Sequence, residues 1–343
     1  MIVYTFMMRL EIKYIVFILL TGMFSCDYFH KKDTKSNHIQ TKTPLEIELS
    51  KLSDRLIDSP KNAFLYFQRG KLYWQNYENE KALNDFYKMV SYDSTKPIYY
   101  ETLADFFVQN TNVERGINAL DYAIRLDPEN ARYHVMQGKY SLIIKRYQDA
   151  INHLNNALKR DVFNPDAYFY KGLVYKESNQ LDKAISNLTT ATEQDPTWDA
   201  PFELLGDIYA DKRDNLCLKY YDNAIKANAN NTSAILQKAY YLKTNGRKKE
   251  AEAIYESLVI ASPQNADAIY NLGVIAYEMK QYDKSLKKLQ ICIQVDPKHA
   301  LAYYLIGKTQ LALGNKSLAK NAFQNARNFD TTLVEANMEL DKL

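Results

Sequence analysis

Small residues recur along this chain at a period of 34 residues, and this repeat constrains the fold more than any other feature. The steps between them are all 34 residues, apart from one of 33. The column comprises Gly70, Ala104, Gly138, Gly172, Gly206, Ala239, Gly273 and Gly307. A fixed period of about 20 to 50 residues is the signature of stacked repeats, in which each unit buries its apolar face on its neighbours.

Further columns of residues recur with the same period. A second small residue follows after twelve residues (eleven in the fifth row), and a large apolar residue lies four residues beyond it. Each row therefore holds two apolar stripes at helical spacing with a break between them. Several rows close on a pair such as Asp127-Pro128, where proline stops a helix. We predict two helices a row, and the small columns let the two approach closely.

The columns resemble the tetratricopeptide repeat (TPR), whose pattern is W-x2-L-G-x2-Y followed by A-x3-F, A and P. In the second row the matching residues are Tyr100, Leu103, Ala104, Phe107, Gly116, Leu120, Ala123 and Pro128. The resemblance implies an all-α, right-handed TPR superhelix (solenoid) of about eight helix-turn-helix repeats with capping helices. The fifth row is one residue short around residues 211–218, which predicts a shorter turn between its helices.

The pattern divides the chain into five segments. We predict a signal peptide at 1–25, a flexible tether at 26–43, an N-terminal capping helix at 44–62, eight TPR repeats at 63–333 and a C-terminal capping helix at 334–343. The tether is polar and without periodicity, as flexible linkers are. The flanking helices are interpreted as caps because a repeat array needs polar outer faces at its ends.

The first 25 residues have the layout of a secretory signal. A basic head precedes an apolar run of about eleven residues, too short to cross a bilayer as a helix. Ser25-Cys26 resembles the end of a bacterial lipoprotein signal, although Met23 and Phe24 depart from that pattern. The resemblance implies a lipid anchor on Cys26. The alternatives are an ordinary cleaved signal or an uncleaved anchor with Cys26 incidental, and the start can be the first methionine or Met8.

Composition and missing motifs argue against several functions. Lys+Arg 44 against Asp+Glu 41 is too balanced for a nucleic-acid groove. The sequence has no phosphate-binding loop, dinucleotide fingerprint, nucleophile elbow, HExxH or CxxC. We therefore predict no enzyme activity, no cofactor and no metal. The five histidines are expected to be solvated or hydrogen-bonded, and Cys217 and Cys292, in small-residue columns, to be buried.

Two carboxylate pairs stand one helical turn apart, Glu101/Asp105 and Glu203/Asp207. Such pairs can perform acid–base chemistry if burial separates their pKa values. We expect solvated helix faces instead. A hydrolase around Glu203 and Asp207 is therefore a lesser alternative.

In the TPR family the first helix of each row lines a concave groove, with its fifth, ninth and twelfth positions pointing inward. The aromatic residues at those positions form the predicted partner-binding groove: Phe67, Trp74, Tyr240, Tyr270, Tyr277 and Tyr304. Aromatic side chains suit a protein or peptide interface because they bring large contact area. The competing interpretation is that many of the tyrosines pack between rows, Tyr277 in particular. The Lys/Asn pattern by which chaperone-binding TPR domains hold a C-terminal carboxylate is not matched.

The sequence thus predicts a membrane-tethered scaffold or adaptor of the bacterial cell envelope. It would bind other envelope proteins or peptides through its concave surface, and no nucleic acid. Its lipid anchor would hold it on a membrane, the outer membrane being favoured, facing the periplasm or the surface. The alternative is a glycan- or peptidoglycan-binding envelope protein, since the apolar face of a sugar packs on aromatic rings.

Overall fold

The computed structural model describes residues 43–343, a range with eighteen α-helices and no β-strand. The predicted signal peptide, Cys26 and nearly all of the tether lie outside the described residues. The structure divides into two compact units, one ending at Ala184 and the other beginning at Ile185. No helix within residues 43–343 is long and apolar enough to span a membrane.

The first nine helices cover the chain up to residue 194. They are α1 (Pro44–Asp58), α2 (Ala63–Gln75), α3 (Asn79–Tyr92), α4 (Pro97–Gln109), α5 (Val113–Leu126), α6 (Ala131–Ile143), α7 (Tyr147–Arg160), α8 (Pro165–Glu177) and α9 (Leu181–Gln194). The boundary between the two units falls within α9.

The remaining nine helices belong to the second unit. They are α10 (Asp199–Asp211), α11 (Leu216–Ala227), α12 (Thr232–Thr244), α13 (Lys248–Ala261), α14 (Ala266–Glu278), α15 (Tyr282–Val295), α16 (Ala300–Ala312), α17 (Lys316–Phe329) and α18 (Val334–Leu340). From α2 onward, first and second helices of the predicted rows alternate.

The short fifth row corrects one prediction. Its turn, residues 212–215, is one residue longer than the three-residue turns of the other rows, and α11 has 12 residues where the other second helices have 14. Asp214 explains the difference. Its Oδ1 accepts the backbone N–H of Leu216 at 2.9 Å, so the helix starts late, after a locally capped turn. The second helix is thus two residues shorter and the turn one residue longer, which together make the row one residue short.

Asparagine fixes the start of most first helices. A side-chain oxygen before the helix accepts a backbone N–H that has no partner within it. This contact is made by Asn62, Asn130, Asn164, Asn231 and Asn265. These residues set the boundary from which positions in each row are counted.

Every turn between the two helices of a row has one residue in the left-handed region. These residues are Tyr77, Thr111, Lys145, Asn179, Arg213, Gly246, Lys280 and Gly314, with φ between 55° and 83°. The following residue closes the helix end: Asn112 N–H donates to the carbonyl of Phe107 at 2.8 Å. This is the Schellman arrangement, which usually takes glycine. Only two of the eight turns have glycine at this position, Gly246 and Gly314.

We expect Thr111→Gly to raise the free energy of unfolding by up to about 1 kcal/mol, because a β-branched residue is disfavoured at its φ of 64°. Gly246→Ala is the matched opposite change. Its φ is 81° and an added Cβ would meet nothing within 4 Å, so any loss there comes from the backbone alone. Urea denaturation of both variants measures the two effects. A less stable Thr111→Gly protein would contradict this account.

The predicted packing columns form the core. In the first unit Ala82, Phe86, Leu120, Ala150 and Leu154 are all 0% exposed. In the second unit the equivalent residues are equally buried, and Cys217 and Cys292 among them are 0% exposed, as predicted. Small residues at the crossing and large ones beside it therefore form the buried contact between the helices.

A buried ion pair ties the first three helices together. The Nε and Nη2 of Arg69 on α2 donate to Asp85 on α3 at 2.7 and 2.8 Å. The Nη1 of Arg69 donates to the Ser53 hydroxyl on α1 at 3.1 Å. The side chains of Arg69 and Asp85 are 16% and 1% exposed. This pair joins α1 to the first repeat.

Candidate partner-binding surface

Two of the six predicted groove aromatics lie in the first unit and are partly buried. The ring of Phe67 is 5.5 Å from that of Tyr99. The ring of Trp74 stands edge-on to Phe86 and Phe106, at 6.1 and 5.6 Å. Phe67 and Trp74 thus join the first two rows, and only part of each ring reaches solvent.

Two more exposed apolar side chains lie on first helices of the first unit. Phe64 is 52% exposed, with its ring 6.0 Å from that of Phe67, and Ile98 on α4 is 46% exposed. Both occupy the second position of their first helices, as does Leu301 in the second unit, 45% exposed. They lie outside the fifth, ninth and twelfth positions at which the groove was predicted. The apolar residues in this column were the available signal.

The other four predicted residues lie in the second unit and differ in exposure. Tyr240 on α12 is 53% exposed. Tyr270, Tyr277 and Tyr304 are partly buried. Tyr270 and Tyr277 pack against the apolar cluster around Leu289. The competing interpretation, packing between rows, therefore describes these two better than an open groove does.

Neighbouring rings cover parts of the buried tyrosines. The ring of Tyr270 lies 4.9 Å from the imidazole of His299, and that of Tyr304 lies 5.7 Å from Phe323. Burial raises the pKa of Tyr270 to about 12. Tyr240 is the most exposed of the four.

Lysines accompany two of the tyrosines. The Nζ of Lys243 is 4.8 Å from the ring centroid of Tyr240 and donates to Asn271 Oδ1 at 2.7 Å. Burial lowers the pKa of Lys243, an effect that the charge of Glu278 opposes. The Nζ of Lys308 lies 5.9 Å from the ring centroid of Tyr304. Both ammonium groups thus rest on aromatic faces, a favourable cation–π contact.

The expectation that the paired carboxylates are solvated is wrong for two of them, since Glu101 and Glu203 are each 7% exposed. Arg132, from the next first helix, donates to Glu101 at 2.6 Å. Burial raises the pKa of Glu101, and the charge of Arg132 opposes the rise. Tyr140 donates its hydroxyl to Asp105. These bonds join neighbouring rows of the first unit.

The second carboxylate pair, Glu203 and Asp207, is also hydrogen-bonded to neighbouring side chains. Asn231, 2% exposed, donates to Glu203 at 2.8 Å, and its Oδ1 caps α12 by accepting the N–H of Ala234 at 2.9 Å. The hydroxyl of Tyr221 donates to Asp207 at 2.9 Å. Burial is the main cause that raises the pKa of Tyr221. Glu203 and Asp207 therefore hold helices together, which weakens the hydrolase alternative.

One histidine also departs from expectation. His134 on α6 is 6% exposed, and neither ring nitrogen has a hydrogen-bond partner. It was expected to be solvated or hydrogen-bonded, but it is buried with both ring nitrogens unpaired. Burial, together with the charge of Arg160, lowers the pKa of His134. His299 instead caps α16, its Nδ1 accepting the N–H of Ala302 at 3.1 Å.

The described residues show no group of three His, Cys, Asp or Glu side chains that could hold a metal ion. The first helices carry half-exposed apolar and aromatic side chains, and the ammonium groups of Lys243 and Lys308 rest on two of the tyrosine rings.

Two family profiles match the chain. The tetratricopeptide repeat profile matches residues 102–151 and 145–199, and that of subunit 3 of the anaphase-promoting complex (cyclosome) matches residues 244–326. Anaphase-promoting complex subunit 3 of Schizosaccharomyces pombe is 25% identical over 197 residues, covering 57% of this chain and 30% of that protein. BBSome complex member BBS4 of Bos taurus is 24% identical over 235 residues, covering 67% and 38%. The chain thus spans about a third of each relative's length.

Solved structures share the architecture. The C-terminal part of a TPR repeat-containing protein from Cytophaga hutchinsonii superposes with a TM-score of 0.58 at 15% identity, covering 70% of this chain and 98% of that one. A TPR protein from Parabacteroides merdae gives 0.51 at 18% identity, covering 71% and 97%. At these identities the likeness concerns the fold alone, and it confirms the predicted all-α TPR class.

Proposed function

Since the chain is built of tetratricopeptide repeats, we propose that it is a scaffold that binds a partner protein or peptide through the first helices of its rows. The supporting observation is that large apolar side chains on those helices remain about half exposed: Phe64, Ile98, Tyr240 and Leu301. Large apolar side chains are also exposed on second helices, such as Tyr87 and Ile260, and we propose the first helices because they carry the predicted groove residues. Exposed apolar side chains are typical of interaction surfaces. Aromatic anchors of this kind contribute much of the binding energy at protein interfaces.

The location we propose is the bacterial cell envelope, with a lipid on Cys26 tethering the scaffold to a membrane. Its support is the sequence layout: a basic head, a short apolar run and the Ser25-Cys26 pair before a polar linker. Several acyl chains would hold the protein firmly on a bilayer. We favour the outer membrane, with envelope proteins as partners.

The interaction surface is tested by capturing partners on the full chain and on surface variants. We expect Phe64→Ser/Ile98→Ser or Tyr240→Ser to reduce capture of a specific partner at least tenfold after crosslinking in cells. Ile260→Ser is the matched control, because Ile260 is 82% exposed but lies on the second helix α13. An equal loss in the control, or none in the first-helix variants, would contradict the proposed surface.

The tether is tested by the mass of the mature N-terminus from a bacterial host, with and without globomycin. We expect a mature N-terminus at a diacylglyceryl-modified Cys26, and an uncleaved precursor in its place when the inhibitor blocks signal cleavage. A free N-terminus near Ser25, or an intact Met1 or Met8, would refute the lipid anchor while leaving the scaffold proposal unaffected.

The glycan-binding alternative receives less support. A sugar needs the open face of an aromatic ring, but His299 lies against Tyr270 and Phe323 against Tyr304. Tyr240 is the only one of the four groove tyrosines that is more than half exposed. A protein or peptide, which can use partly buried rings and their hydroxyl groups together, fits this surface better.

A further inference from the structure

Two lysine–tyrosine pairs stand on first helices of the second unit. Tyr240 and Lys243 lie on α12, and Tyr304 and Lys308 on α16. In each pair the ammonium group rests over the ring of its tyrosine. We call these four residues, with Asn271 between them in the row order, the lysine–tyrosine face.

The ammonium group of Lys243 is held by neutral groups. Its hydrogen-bond acceptor is the Asn271 amide oxygen at 2.7 Å, and the Tyr240 ring centroid lies 4.8 Å from its Nζ. A partly buried ammonium group usually pairs with a carboxylate, because desolvation without an opposite charge is costly. It also has three donors, more than Asn271 can take.

The neighbouring carboxylate is already engaged. Glu278 bonds to the Nζ of Lys248 at 2.8 Å. Within residues 43–343 neither Lys243 nor Lys308 takes part in an ion pair. The lysine–tyrosine face therefore carries two positive charges without bonded counter-charges.

The row between the two pairs supplies a less polar strip. Tyr270 and Val274 on α14 are partly buried and pack on the core cluster beneath them. Packed helices lie about 8 to 10 Å apart, so first helices two rows apart are separated by about 20 Å. An extended chain covers that span in about six residues, at roughly 3.3 Å each.

We propose that the lysine–tyrosine face binds an acidic, extended peptide segment of a partner, with carboxylates about six residues apart reaching Lys243 and Lys308. Apolar side chains between them lie on Tyr270 and Val274, and the ring of Tyr240 packs against the peptide. This inference rests on the proposed scaffold function and names the chemistry of the partner. Charge complementarity of this kind determines which partner is selected and how fast it associates.

The test uses the full chain and three fluorescein-labelled twelve-residue peptides. The first has two glutamates six positions apart around an apolar centre, and the others replace both with glutamine or lysine. We expect fluorescence anisotropy to show the glutamate peptide binding at least tenfold more tightly than the glutamine peptide, and no binding of the lysine peptide. Binding of the glutamate peptide should weaken as salt screens the charges.

Charge-removing variants locate the contact. Lys243→Gln and Lys308→Gln should each weaken binding of the glutamate peptide about tenfold and leave circular dichroism melting curves unchanged. Lys320→Gln is the matched control, because Lys320 is exposed on the second helix α17. It should bind as the unmodified chain does.

The outcomes separate this inference from the scaffold proposal. Equal binding of glutamate and glutamine peptides, lost in Tyr240→Ala, would overturn the acidic partner and still support peptide binding by the first helices. Loss of affinity in Lys320→Gln equal to that in Lys243→Gln would overturn the assigned site. Failure of all three peptides to bind would overturn the inference, while partner capture would decide the scaffold proposal independently.

Discussion

Asp85→Ala is expected to lower the free energy of unfolding by about 3 to 5 kcal/mol, the usual loss when one partner of a buried ion pair is removed. Asp85 is 1% exposed and accepts two N–H groups of Arg69. Without that carboxylate the guanidinium of Arg69, 16% exposed, would keep the Ser53 hydroxyl and the rings of Tyr66 and Tyr73 as neighbours but no opposite charge bonded to it. Urea denaturation followed by circular dichroism measures the loss, and hydrogen exchange should place it in α2 and α3.

A double variant tests whether the unpaired charge of Arg69 causes the loss of stability. Replacing a buried ion pair by apolar residues of similar volume is often neutral or stabilising. We therefore expect Arg69→Met/Asp85→Leu to return to the stability of the unmodified chain within about 1 kcal/mol. If the double variant were as unstable as Asp85→Ala, the geometry of the hydrogen bonds rather than the unpaired charge would be the cause.

An exposed ion pair provides the control. Arg247 and Glu250 are bonded at 2.7 Å on one turn of helix, with side chains 43% and 56% exposed. Exposed pairs contribute little to stability because water solvates either partner when the other is removed. Glu250→Ala should leave the denaturation midpoint unchanged.

The sequence predicts the helices and the core well because each column position has a single packing role. A small residue at a helix crossing and a large one four positions later recur only if they face the same neighbours in every row. The structure bears this out: Ala150 and Leu154, like Ala319 and Phe323, are 0% exposed.

Features that depend on contacts between rows could not be predicted. Glu101 and Glu203 are spaced like surface carboxylates, but Arg132 and Asn231 reach them from the following rows. In the fifth row the sequence does not show which element is shortened. A count shows one residue missing, yet only the capping contact of Asp214 decides that the helix rather than the turn is shortened.

The candidate surface shows the same limit. The repeat gives the positions of the aromatic residues, but their exposure depends on which side chains approach from the next helix. Tyr304 packs on Phe323, whereas Tyr240, two rows earlier and at a different position of its helix, stays 53% exposed. The second-position residues Phe64 and Ile98 are exposed because they lie outside the packing columns. The exposure of these side chains therefore could not be predicted from the repeat alone.

Gly138→Ala should lower the free energy of unfolding by about 1 to 3 kcal/mol, the usual cost of overpacking a core. On an exposed helix the same change stabilises by about 1 kcal/mol, so packing decides the sign. A Cβ at Gly138 would lie 2.5 Å from Leu154 Cγ and 3.3 Å from the carbonyl oxygen of Ala150. Leu154 is fully buried and its Cγ is not a free end, so the helices α6 and α7 must separate.

The second row suggests a compensating change. There the small residues are exchanged: Ala104 stands where Gly138 does in the third row, and Gly116 where Ala150 does. A Cβ at Gly116 would lie 2.6 Å from Val108 Cγ2 and 3.0 Å from the carbonyl oxygen of Ala104, so the helices of that row approach closely too. Gly138→Ala/Ala150→Gly copies the exchange, and its two helix-propensity effects cancel.

We therefore expect the double variant to lie within about 1 kcal/mol of the unmodified chain, whereas each single change is destabilising. Urea denaturation of the three variants completes the double-mutant cycle. A Gly138→Ala protein as stable as the original would show that Leu154 moves aside, and the close approach of the helices would not be what selects glycine. If the double variant lost as much free energy of unfolding as the two single variants lose together, the two columns would not share one crossing.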